Sequence, residues 1–102
     1  MKEANVNEVE ARNEVEVAIL EECQSVAAML IEKNRSYGNS ALEPMRIFSR
    51  ASSREQILVR IDDKLSRISR GGDALGEDTI QDLLGYLVLL RVQARVQRGG
   101  GT

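Results

Sequence analysis

The sequence predicts an all-α protein: a helical bundle of three long helices plus a short connecting helix, assembled as an oligomer. Two observations predict the helices. Three long segments space their apolar residues three and four apart, and no segment alternates apolar and polar residues as a half-buried strand does. A third observation predicts the assembly. The last of these segments is apolar around nearly its whole circumference, which is more than two neighbouring helices can cover.

The first helix is expected from about Asn7 to Lys33, with Val15, Ile19, Val26, Met29 and Leu30 on its apolar stripe. The stretch NRSYGNS, Asn34 to Ser40, ends it, and Gly38 is suited to a left-handed stop. An irregular stretch follows, in which Pro44 can start one short helical turn carrying Met45, Ile47 and Phe48. The second helix begins after Ser52 or Ser53, since Ser52 with Glu55 and Ser53 with Gln56 both have capping-box spacing. Leu58, Ile61, Leu65 and Ile68 form its stripe, and Gly71 and Gly72 stop it. The third helix runs from about Glu77 to Arg98, where Arg91, Arg95 and Arg98 complement the helix C-terminus. Leu83, Leu84, Leu87, Val88, Leu89 and Leu90 surround it. Either a second subunit covers this helix, giving a homodimer or homotetramer, or it is the central helix of a monomer. Residues 1–98 form a single domain, and 99–102 a flexible glycine-rich tail.

Composition narrows the chemistry. The chain has 102 residues, no His, one Cys and 3% aromatic residues, with a net charge of −2. Zero His removes Ser-His-Asp and Cys-His catalysis and every His-based zinc site. One Cys removes an internal disulfide. The slight acidic balance argues against general affinity for nucleic acid. No apolar run is long enough to cross a bilayer, and the acidic amino terminus is not a secretory signal. With Cys23 placed within a helix, the chain reads as cytoplasmic. Carboxylates and a hard metal ion are what remain for catalysis.

Four groups of residues bear on that chemistry. Glu22 falls on the apolar stripe of the first helix, where a carboxylate needs a metal or a cation of another helix as partner. Asp78 and Asp82 lie one turn apart on one face of the third helix, a spacing that favours a shared cation. Asp78 also suits the helix N-terminus; Asp82, deeper in, is less easily explained that way. In RIDDKLSR, Arg60, Asp63, Lys64 and Arg67 share a flank of the second helix, either as solvated ion pairs or as a surface for a metal-bound polyphosphate. Finally, in KNRSYGNS, Lys33 can reach a phosphate and Tyr37 can stack on a base, or the segment is a plain helix stop.

Taken in order, these elements resemble a known family. ILEECQSVAAML (Ile19 to Leu30) followed by EDTIQDLLGYLVLL (Glu77 to Leu90) is similar to the MazG-like all-alpha nucleoside triphosphate pyrophosphohydrolases. The intervening EKNRSYGNSA and VRIDDKLSRI resemble its phage-associated branch, nucleotide modification associated domain 1. The resemblance implies a helical bundle, dimeric or tetrameric, that binds Mg²⁺ through carboxylates on facing helices. Such proteins cut a nucleoside triphosphate between its α and β phosphates, releasing monophosphate and pyrophosphate.

Residue by residue, the resemblance gives Glu22 and Asp82 to the two acidic motifs, with Asp78 preceding the latter. It matches Asp63 and Lys64 to the DK pair, and Lys33, Asn34, Tyr37 and Gly38 to the KNxxYG element. The family pattern has a Glu where this chain has Ser25 and another where it has Thr79. Asp63 and Asp78 would then stand in for the absent ligands. The expectation is an Mg²⁺-dependent pyrophosphohydrolase, Mn²⁺ being a possible substitute. Glu22, Asp63, Asp78 and Asp82 would hold the metal, with Glu22, Asp63 and Asp82 catalytic. Lys33, Asn34, Tyr37, Arg60, Lys64 and Arg67 would bind a (deoxy)nucleoside triphosphate. A non-catalytic nucleotide-binding oligomer and a plain helical interaction protein are the alternatives.

Overall fold

In the computed structural model, helix α1 covers Glu14–Ser36, α2 covers Ser53–Ser69 and α3 covers Glu77–Gly100. The structure describes residues 9–38, 51–71 and 76–100. All three long helices of the sequence reading are present, and every regular element among the described residues is a helix. The short helical turn expected at Pro44 lies outside the described residues.

Local hydrogen bonding sets the helix ends. α1 starts at Glu14 rather than Asn7 because Asn13 caps it. The Asn13 backbone is extended, and its Oδ1 accepts from the Glu16 N–H at 2.9 Å. Glu16 answers by accepting from Asn13 Nδ2 and from the Arg12 N–H, both at 2.9 Å. This reciprocal arrangement behaves as a capping box. At the other end α1 runs to Ser36, past Lys33. The Tyr37 N–H donates to the Lys33 carbonyl at 2.9 Å, and Gly38 turns left-handed at φ +58°.

Of the two serines that can start α2, Ser52 is the cap, its hydroxyl accepting from the Glu55 N–H at 3.1 Å. Gly71, at φ +74°, follows the last turn. α3 begins where the Ile80 N–H meets the Gly76 carbonyl at 3.0 Å, and it continues to Gly100, two residues beyond Arg98.

α2 and α3 form an antiparallel hairpin: Lys64 meets Asp82 midway, and Arg54 lies beside the end of α3. The α2 seam is Ile57, Ile61, Lys64 and Ile68, which recur at four, three and four residues. Ile57, 3% exposed, is the buried hydrophobic side chain of the described core. The sequence reading centred the stripe one residue later, on Leu58 and Leu65. Leu65 is in fact 49% exposed, because α3 crosses on the Ile57 side.

α1 meets α3 through Met29 and Leu30, in its C-terminal half. Gly85 makes this possible: a Cβ there would sit 3.3 Å from Leu30 Cδ2 and 3.6 Å from Met29 Cε. The N-terminal half of α1 leaves its apolar side uncovered, with Val15 69% and Ile19 55% exposed.

The result is an open molecule. Its radius of gyration is 15.9 Å, against about 13 Å for a compact chain of this length. Its accessible surface is 8450 Å², whereas a folded monomer of 11.3 kDa exposes about 5,700 Å².

Candidate functional site

Where α1 ends against the middle of α3, a cleft of about 340 Å³ opens. This is within the range of small-molecule sites. Its floor is apolar: Met29 and Leu30 come from α1, and Gly85 and Leu89 from α3. Gly85 is buried because α1 rests on it. Around the floor stand polar groups from all three helices. Lys33, Asn34 and Tyr37 come from the last turn and cap of α1, Arg60 from α2, and Gln81, Asp82 and Tyr86 from α3.

Five residues singled out from the sequence therefore line one cleft: Lys33, Asn34, Tyr37, Arg60 and Asp82. A sixth, Lys64, reaches it indirectly. Its Nζ lies 3.1 Å from Asp82 Oδ2, and its side chain is only 15% exposed. Lys64 sits on the α2 seam rather than on the solvated flank with Arg60 and Arg67. A cation in that position needs a partner from the facing helix, and Asp82 supplies it. Asp82 itself remains 38% exposed towards the cleft.

The remaining site residues are placed elsewhere. Asp63 pairs with Arg67 at 3.1 Å across one turn of α2, both more than half exposed, as a surface ion pair. Glu22 is exposed, contrary to its reading as a carboxylate within a covered stripe. The stripe is uncovered at this level in the single chain, and Glu22 stands about 16 Å along α1 from Lys33. Asp78 is exposed in the first turn of α3. Among the described residues no three Asp, Glu or Cys side chains gather as a metal cage. Thr79, where the family pattern has Glu, is buried at 8% exposure, a position that would desolvate a carboxylate.

No protein-family model, curated protein or solved structure matches this chain.

Sequence reasoning passed over Gln81, Gly85 and Tyr86, all of which line the cleft. A signal for them existed. A glycine inside an apolar helix marks a close approach by another element. Gln81 and Tyr86 flank the Asp82–Gly85 turn and share its cleft-facing side.

The cleft can hold an anion with a planar group attached. Lys33 and Arg60 supply positive charge, Tyr37 and Tyr86 supply aromatic faces, and Asn34 and Gln81 supply amide donors and acceptors. Among the described residues, one carboxylate, Asp82, lines it. That donor set does not suit an all-protein metal cage, and it does suit Mg²⁺ arriving with a phosphate chain. Mg²⁺ is commonly held by one or two carboxylates together with substrate phosphates and water.

Proposed function

We propose that the chain is a MazG-like pyrophosphohydrolase that takes an Mg²⁺-bound (deoxy)nucleoside triphosphate in the cleft between α1 and α3. One observation carries the reading: Lys33, Asn34, Tyr37, Arg60 and Asp82, distant in sequence and from three helices, line the same cleft. Lys33 and Arg60 neutralise phosphate oxygens as charge builds on them. Tyr37 and Tyr86 hold the base by stacking, and Asn34 or Gln81 hydrogen-bonds to its edge. Asp82 holds the metal or orients the attacking water. Mg²⁺, or Mn²⁺ in its place, supplies Lewis-acid polarisation of the phosphate. Water adds to phosphorus and the bridge between α and β phosphates breaks, releasing nucleoside monophosphate and pyrophosphate.

Glu22, Asp63 and Asp78 are the further ligands that the resemblance offers. They stand outside the cleft of a single chain, so the assembled oligomer is the unit to assay. We place the subunit contact on α3, where Ile80, Leu84, Leu87 and Val88 are 37–50% exposed.

The test is pyrophosphate release from a panel of ribo- and deoxynucleoside triphosphates, with Mg²⁺ or Mn²⁺ and with chelator. Metal-dependent release from one or a few of them is expected, and Asp82→Asn is expected to abolish it. A second reading, nucleotide binding without turnover, is favoured by the Lys64–Asp82 pair, which engages the one carboxylate that lines the cleft among the described residues. It predicts calorimetric binding of a triphosphate with no pyrophosphate at any metal concentration.

A further inference from the structure

Lys64 carries a charge that packing does not call for. It stands on the seam of α2 between Ile61 and Ile68, with 15% of its side chain exposed. A methionine or leucine would fill that seam without desolvating an ammonium group, and replacing a buried ion pair by apolar side chains is often neutral or stabilising. Stability therefore does not explain the lysine. Its partner does more. The Lys64 Nζ lies 3.1 Å from Asp82 Oδ2, and Asp82 is the one carboxylate that lines the α1–α3 cleft among the described residues.

Lys64 thus engages the carboxylate that a metal ion would need. A bare divalent cation arriving at Asp82 finds its charge already compensated, and Lys33 and Arg60, which line the same cleft, repel the newcomer. Among the described residues no three Cys, Asp or Glu side chains gather to replace its water shell, and Mg²⁺ dehydrates reluctantly. A metal ion already bound to a polyphosphate meets the opposite field. That complex is anionic overall, so the positive charge of Lys33, Arg60 and Lys64 favours it. Its phosphate oxygens and water also supply the ligands that the cleft lacks among those residues.

We propose that Lys64 is a positioning residue that keeps bare divalent cations off Asp82, so that the cleft accepts a metal ion only together with a polyphosphate. The proposal rests on the nucleotide reading of the cleft and adds an order of binding to it. The Lys64–Asp82 pair is then an interlock between metal and substrate, which the anionic complex releases and the free ion does not.

The experiment titrates the full chain by calorimetry with Mn²⁺ alone and with Mn²⁺ already complexed to inorganic tripolyphosphate, which carries no base. The wild-type chain is expected to bind the complex, and Mn²⁺ alone far more weakly. In Lys64→Met the affinity for Mn²⁺ alone is expected to rise roughly 10-fold, between the effects typical of exposed and buried pairs, while affinity for the complex does not rise. Adding Asp82→Asn to that variant is expected to remove the gain. A lysine that served packing alone would move both affinities the same way or neither. Should Lys64→Met lose helicity by circular dichroism, Lys64→Gln is expected to show the same opposed changes. Mn²⁺ alone binding the wild-type chain as tightly as the complex overturns the proposal and leaves the nucleotide reading standing, with further carboxylates brought to Asp82 by assembly. Variants that shift both affinities together, or neither, overturn it as well. If neither titrant binds the wild-type chain, the nucleotide reading of the cleft falls and this proposal falls with it.

Discussion

Lys64 and Asp82 show how a single pair links packing to the site. Lys64 is held on the helix seam with 15% of its side chain exposed, while Asp82 looks into the cleft. Asp82→Asn leaves that cation without its charged partner. The expected loss is about 1–2 kcal/mol, between the values typical of exposed and buried pairs. Lys64→Met keeps the seam filled and frees Asp82, so its expected stability change is within about 1 kcal/mol. Urea unfolding of the two single variants and the double variant measures their coupling, and additive effects would show that the pair contributes nothing. By contrast, Asp63→Asn breaks only the exposed pair with Arg67, with an expected cost of about 0.5 kcal/mol or less. From sequence, Asp82 was recognisable because a carboxylate stood beside an apolar run. Lys64 was not, since a stripe counted from apolar residues alone omits a lysine that packs by its stem.

Among the helices, the ends follow local chemistry and the separations follow side-chain size. Asn13→Ala removes the cap of α1, and a loss of about 1 kcal/mol with fraying of the first turn is expected by thermal melting and amide exchange. Gly85 sets how closely α1 approaches α3. Gly85→Leu forces a side chain against Leu30 and Met29, with an expected cost of about 1–3 kcal/mol and loss of triphosphate binding in calorimetry. Gly85→Ala meets only the tip of Leu30 at 3.3 Å. Its crowding is offset by better helix propensity, so a near-neutral melt is expected. If Gly85→Leu bound triphosphate as tightly as the wild type, the cleft would not be the nucleotide site. The three helices were legible because periodicity and caps are local properties. The first helix starts at Glu14 and not at Asn7 because the capping hydrogen bonds of Asn13 begin it there, a signal that apolar spacing does not carry.

For the whole molecule, the deciding quantity is surface. Among the described residues, Val15, Ile19, Leu84 and Leu87 are 37–69% exposed, which leaves the core of a single chain incomplete. Sedimentation velocity is expected to show a dimer or tetramer, and Leu87→Glu on α3 to shift it towards monomer. A wild-type chain sedimenting as a monomer at micromolar concentration would remove the subunit contact from the proposal. Among the described residues no helix is long and apolar enough to cross a membrane.

The sequence by itself determined that the protein is helical, that α2 begins after Ser52 or Ser53 and α3 near Glu77, and that the segment containing Gly38 ends α1. These depend on neighbours within a turn or two, and short-range sterics and hydrogen bonds decide them. It also identified most of the polar residues of the cleft. Only the tertiary structure decided that Asp82 faces Lys64, that Asp63 belongs to a surface pair, and that Glu22 and Asp78 stand apart from the cleft. It alone brought Arg54 beside the arginines of α3. Those relations depend on which face of each helix meets the next. The rotation and crossing of packed helices are set by the fit of side chains such as Ile57, Leu30 and Gly85, which no single helix specifies.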